Sequence, residues 1–447
     1  MSVAVMKTKA ETSLDEDFQK LRDRLPGGSG VLAVRNAAHQ LFAERGLPHR
    51  RIEEWKYTDL RNAMKEALPV RIGDETPVTI ADLIVALGPF AHIDAQRVVF
   101  VNGNYRKELS SVDAQSGLSV ESLASKLESS DDAGRGLLGE FSDGAGNDDV
   151  IVALNTAYST DGTVVQVEPG AKIEKPLLLV YMRAGREASF TAVRNVIEVG
   201  EGAEAQIIEA FVSLPGAADA GQANAATRIS VADGAKVAHA KCTADQGAQV
   251  THLGNWAVHL GKEAQYDGFQ LTQGVSLARH QIFVTFGGES ARLDLSGIFL
   301  GRNNDHIDTT LVVDHAVPSC ESRELFKGVL DDRARGIFQG KIIVKQIAQK
   351  TDGKQMSQAL LLSPDAEFDS KPELEIFADD VACGHGATCT ELDHDLMFYC
   401  RSRGIPEDVA RVLLIESFIG EAVEKIEDEA VRDAFMASAV SWLAAKK

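Results

Sequence analysis

Gly170-Ala171-Lys172-Ile173-Glu174-Lys175, Gly202-Ala203-Glu204-Ala205-Gln206-Ile207 and Gly234-Ala235-Lys236-Val237-Ala238-His239 are three versions of one step, spaced 32 residues apart. Each is a glycine–alanine pair followed by polar and apolar residues in alternation. Alternation with period two marks strands, and a fixed recurrence behind small residues marks a repeat. In a parallel β-helix each rung stacks on the last, so the chain turns tight corners that favour little or no side chain. Echoes follow at Gly247-Ala248, Glu263-Ala264, Ser290-Ala291, Arg333-Ala334 and Asp365-Ala366, at irregular spacing. A solenoid running from about Val150 to Thr388 is the reading; a β-sandwich with similar turns is the alternative.

Outward from this core the period changes to helix. Phe18, Leu21 and Leu25, then Val34, Ala37, Ala38, Leu41 and Phe42, lie at helical spacing, broken by Pro26–Gly30 and ended by Gly46-Leu47-Pro48. Arg97–Tyr105 is rich in β-branched and aromatic residues and holds the turn pair Asn102-Gly103, so strand structure begins there. Ser110–Asp149 reads as a loosely packed connection with a short helix near Val120–Leu127, and Ser213–Ala226 as a loop inserted between rungs. Beyond Leu392 helix returns, with Pro406 in a first turn ahead of Glu407 and Asp408. Val412, Ile415, Ile419, Val423 and Ile426 form a stripe that Leu413, Leu414 and Phe418 widen. A face this broad packs on the solenoid end, or receives a partner.

With 447 residues the chain exceeds the roughly 250–300 at which one core stops growing. Three regions are expected: 1–149, helical with its connection; 150–390, the solenoid; and 391–447, helical. Forty-six basic against 66 acidic residues give a net charge of −20, which argues against nucleic acid or an anionic membrane as partner. The opening MSVAVMKTKAETSLDEDF holds too short an apolar run for a secretory signal, and no run approaches the ~20 residues of a membrane span. Five cysteines, an odd number, fit a reducing compartment, so a soluble cytoplasmic protein is expected.

Three of those cysteines crowd into Asp369–Arg403, where Cys383, His385, Cys389, His394 and Cys400 interrupt what otherwise reads as β-structure. If that stretch is extended, Cys383 and His385 share a face. No second ligand pair at zinc spacing follows, so a closed structural site is disfavoured. The choice lies between an open site completed by another chain and small buried turn residues. A second cluster, Asp305, His306, Asp308, Asp314, His315 and Cys320, fits either a metal or proton path or polar stacking between rungs. Phosphate-binding loops, dinucleotide fingerprints, HExxH and nucleophile elbows are all lacking.

Longer motifs decide further. EEWKYTDLR (Glu53–Arg61), VFVNGNY (Val99–Tyr105), ALNTAYSTDG (Ala153–Gly162), the run Val313–Ile342, Asp369–Thr388 with its KPELEIFADDV and HGAT, and FYCRSRGI (Phe398–Ile405) together resemble the SufB/SufD family of iron–sulfur cluster assembly scaffolds. The SufB-type cysteine signature is missing, which favours the SufD branch. The resemblance implies a mainly β fold, a right-handed parallel β-helix flanked by N- and C-terminal helical regions. It implies a non-enzymatic scaffold that pairs with SufB through the β-helix cores and docks the ATPase SufC through its C-terminal domain; a homodimer of the isolated chain is left open. Cys383 and His385 match the family's C-x-H motif and would hold a transient Fe–S cluster or iron at the SufB interface; nothing carries over to Cys389 and Cys400. Ile405, Pro406, Val409, Val412 and Leu413 are the expected SufC-docking residues. A β-helix carbohydrate-active enzyme and a stand-alone metal or flavin carrier are the alternatives.

Overall fold

The computed structural model describes residues 7–113, 116–139, 141–142, 146 and 148–445. The apolar run that opens the chain, and residues 114, 115, 140, 143–145 and 147 of the expected connection, lie outside them.

Two sheets run side by side through the molecule. One has ten strands, from the hairpin Gln96–Val101 and Asn104–Tyr105 to Ala382–Thr390; the other has nine, from Leu118–Ser122 to Glu367–Ile376. From Thr163 onward successive strands alternate between the sheets and pair in parallel, which makes a parallel β-solenoid. The sandwich alternative is thereby excluded.

The Gly-Ala steps are stacked corners. Lys172 is in register with Glu204, and Glu204 with Lys236, so the three pairs lie one above another. Gly170, Gly202 and Gly234 all have φ of 64–71°, the left-handed region that glycine enters without strain, and Ala203 and Ala235 are fully buried behind them. The same corner continues with Glu263-Ala264, Ser290-Ala291, Ser319-Cys320 and Lys350-Thr351, whose first residues also have positive φ. Later turns are shorter. Lys236 aligns with Gln265 and Gln265 with Arg292, offsets of 29 and 27 residues, which is why the spacing looks irregular in sequence. Arg333-Ala334 and Asp365-Ala366 belong to another corner, where Ala334 and Ala366 pack with Val250, Phe299 and Ile307.

Apolar side chains from both sheets, among them Phe100, Ile197, Trp256, Phe286 and Phe338, fill the lumen. Helices cover the outer faces. Lys9–Leu21, Ser29–Arg45 and Val150–Tyr158 lie against the nine-strand sheet, with Phe18 and Tyr158 packed near Phe190 and Leu253. Glu407–Val423 and Glu429–Ala444 lie on the ten-strand sheet, and Phe435 makes edge contacts with Phe90 and Phe269 at 4.9 and 5.0 Å.

Several local expectations are corrected. Val150–Tyr158, where the solenoid is expected to start, is a wholly buried helix that Asp149 caps through the amides of Ile151 and Val152. The supposed connection contains the short helix expected there, at Leu123–Ser129, and also strand Leu118–Ser122 and helix Asp131–Leu138. The second half of the supposed loop belongs to strand Ala220–Val231; its alanines are small because helix Val150–Tyr158 lies close, with Asn224 Nδ2 donating to the Ile151 carbonyl at 2.9 Å. The stripe Ile415, Ile419, Val423 and Ile426 packs on the flank of the ten-strand sheet, not on the solenoid end.

A corner this tight makes a volume prediction. Ala235→Leu should destabilise the chain by about 1–3 kcal/mol through overpacking, read as a lowered urea midpoint, while the same change at exposed Ala133 should be nearly silent.

Candidate functional site

Ala382–Thr390 is the last strand of its sheet and pairs on one side only, with Asp352–Leu361. Cys383 aligns with Gly353, His385 with Gln355 and Cys389 with Ala359. The strand is extended, so alternation puts Cys383, His385 and Cys389 on one face. That face is the lumen side, since Cys383 packs against the internal core. No rung lies beyond, and His385 is therefore exposed although it points inward. His394 and Cys400 lie outside the strand, on helix His394–Ser402. A cleft of about 660 Å³ between this edge and helix Glu407–Val423 is lined by Cys383, Gly384 and His385 together with Met356, Glu421 and Lys425.

Burial pushes the Cys383 thiol up, and the carboxylates of Asp352 and Glu324 push the same way, against a backbone hydrogen bond at Gly353. It is a protonated thiol until a cation displaces the proton. Beneath His385 the register continues to Gln355 and then Glu324, each 3 % exposed. Burial drives the Glu324 carboxyl up to about 8; Asp294 adds to this, while Ser322 and Arg323 oppose it. Ser322 is the larger of the two opposing influences, yet its hydroxyl also lies 3.1 Å from His315 Nε2, and neither Glu324 oxygen meets a donor at hydrogen-bonding geometry. Sequence reasoning missed both residues. Their only signal is the alternation in Glu321–Phe326 and Asp352–Ser357, which gives the facing but not the stacking.

The second polar cluster is dispersed. Asp308 pairs with Arg279 on the outer face of the nine-strand sheet, where Thr58 Oγ1 contacts His306 Nε2 at 2.8 Å and the Arg279 guanidinium lies 3.9 Å from the centre of the Trp55 ring. That arrangement explains EEWKYTDLR as a clasp holding the N-terminal region to the solenoid. His315 stacks on Phe286 inside the lumen, and Cys320 sits at a corner. Among the described residues no three His, Cys, Asp or Glu side chains converge as a metal site. Of the expected docking residues, Val409 and Leu413 are 45 % and 46 % exposed, Pro406 caps helix Glu407–Val423, and Ile405 and Val412 are half-buried. Leu396, Phe398 and Tyr399 of the preceding helix are exposed as well.

The sequence of this solenoid and its N-terminal helices matches two known family descriptions: "SUF system FeS cluster assembly, SufBD core domain" over residues 181–418, and "SufBD protein N-terminal region" over residues 9–179. The chain belongs to the SufBD family. Among SufBD proteins it is 33 % identical over 401 residues to "Iron-sulfur cluster assembly protein SufD" of Escherichia coli K12, covering 89 % of this chain and 90 % of that one. It is 30 % identical over 430 residues to a SufBD family protein of Synechocystis, covering 93 % of each. It is 31 % identical over 307 residues to "Protein ABCI7, chloroplastic" of Arabidopsis thaliana, covering 66 % of this chain and 62 % of that one. This SufBD protein is thus an iron–sulfur cluster assembly protein. None of its helices is long and apolar enough to cross a membrane among the described residues.

Glu324 gives a pH-dependent prediction. The folded state keeps a proton that the unfolded chain releases near 4.5, so this contribution is fully present below that value and is lost as pH rises toward 8. The span is worth at most about 5 kcal/mol. Glu324→Gln should therefore raise the melting temperature more at pH 8 than at pH 5; an equal shift at both would mean the carboxyl is not held protonated.

Proposed function

We propose that this SufBD protein is a non-enzymatic cytoplasmic scaffold of the SUF system that pairs with SufB at the open end of its solenoid and docks SufC on its C-terminal helices. The observation that carries the reading is the open final rung. Glu367–Ile376 and Ala382–Thr390 each end a sheet with one side of the backbone unpaired, and such an edge is a template for another chain. Cys383 and His385 stand on that edge. One thiol and one imidazole make half a site, and soft or borderline ligands of this kind suit iron and its sulfides. Ligands divided between two chains can part when the finished cluster leaves. The cluster is cargo here, and the partner's ligands complete its site. ATP hydrolysis falls to SufC, consistent with the missing phosphate loop in this sequence.

The docking surface rests on Val409 and Leu413, one turn apart on helix Glu407–Val423, with Phe398 at 72 % exposure beside them in the chain order of the same region. The buried side of that helix is committed to the sheet through Ile415 and Ile419. Deleting the helix would strip the sheet, so point changes are the cleaner probe.

Two outcomes are expected. His385→Ala should leave the fold and assembly with SufB and SufC intact and cut cluster formation in cells by about tenfold or more, with Cys389→Ser and Cys400→Ser close to wild type. Full cluster output from His385→Ala would end the ligand role. Val409→Glu with Leu413→Glu should weaken copurification of SufC by about tenfold or more without moving the melting temperature; undiminished recovery of SufC would place the docking surface elsewhere.

A further inference from the structure

Three oxygens beneath His385 have no donor. They are Gln355 Oε1 and both carboxyl oxygens of Glu324, all buried, on the two rungs that follow inward from the open edge. Neighbouring strands are about 4.8 Å apart, so the Glu324 rung lies about 10 Å inside that edge. The next residue in register, Leu295, is fully buried and closes the column below.

The amide is held in place from across the lumen. Gln355 Nε2 donates to the Gly340 carbonyl at 3.3 Å, and a Cβ on Gly340 would come within 2.3 Å of Gln355 Oε1. Glycine at 340 thus leaves the space that the amide occupies.

Elsewhere in the same lumen a buried carboxylate is served on one oxygen, Glu209 Oε1, while its Oε2 has no donor. Glu209 takes hydrogen bonds from His239 and Thr227, both at 2.9 Å, and His239 Nδ1 meets Tyr266 Oη at 2.8 Å. Burial pulls the Glu209 pKa up, but these bonds and the charge of Lys241 outweigh it. Glu324 has no such set. A buried acceptor without a donor is costly, and its persistence at an open end asks for a positive ligand.

We propose that His385, Gln355 and Glu324 form a site for a divalent transition cation just inside the open end of the solenoid, with ferrous iron the cargo that fits a cluster-assembly protein. One imidazole nitrogen with amide and carboxylate oxygens is a borderline-to-hard donor set suited to such an ion before sulfur reaches it. Cys383 lies in the neighbouring column above Gly353, so a thiol stands beside the ion rather than beneath it. The inference rests on the reading of His385 as a ligand and adds the two residues under it.

The test titrates the purified full-length chain anaerobically with cobalt(II), following its visible ligand-field bands. One ion should bind, at least tenfold more weakly in Glu324→Gln and in Gly340→Ala, which displaces the amide. Circular dichroism should show both variants folded. Cobalt binding unchanged within twofold in Glu324→Gln, or absent from the wild type, overturns the site. Lost cobalt binding in Glu324→Gln alongside full cluster output in His385→Ala cells would keep this cation site and end the cluster-ligand reading. Unchanged binding alongside lost cluster output would do the reverse.

Discussion

Parallel stacking is the constraint on which everything else depends. A strand inside the solenoid has its amides and carbonyls satisfied by the rungs on both sides, and only the ends are left open. The two ends are treated differently. At the N-terminal end the short strands Asn104–Tyr105 and Leu118–Ser122 turn antiparallel to the first rungs and close them. At the C-terminal end Glu367–Ile376 and Ala382–Thr390 have no such cover. The helices that follow fold back along the flank instead of across the mouth. An uncapped parallel edge is a liability in a solitary protein and an asset in one built to pair, and the residues with metal-binding chemistry stand at that edge.

The helical layers serve the same geometry. The N-terminal region is clasped to the nine-strand sheet by Trp55 over Arg279 and by the Arg279–Asp308 pair, while the C-terminal helices seal the other sheet through Phe435, Ile415 and Ile419. Lys327, nearly buried at the edge of that seal, pairs with Glu421 and lies 4.4 Å from the centre of the Phe418 ring. The helix carrying Val409 and Leu413 is therefore fixed to strands two and three places from that of His385 in the same sheet order.

Much of this was legible in the residues. The Gly-Ala steps at 170, 202 and 234 announce a stacked corner, and the shared face of Cys383 and His385 follows from strand alternation alone. What failed was local. Ala220–Ala226 looked like a loop because its buried positions are Gly221, Asn224, Ala225 and Ala226, small or polar beside a close helix and invisible to an apolar period. Val150–Tyr158 falls inside the expected solenoid because it is apolar and β-branched at its start, and only the cap at Asp149 marks it as helix. Glu324 and Gln355 could not be found at all. Which residues stack on His385 depends on turn lengths of 30 and 31 residues, set by corners that carry Lys350 and Ser319 instead of glycine.

Hydrogen exchange at the backbone amides of Glu367–Ile376 and Ala382–Thr390 tests the central claim most directly, comparing the dilute isolated chain with the chain mixed with SufB, the proposed partner. Pairing at the open end predicts that protection gained in the complex concentrates in these two strands. A complex that forms while both strands exchange as they do in the free chain would contradict it.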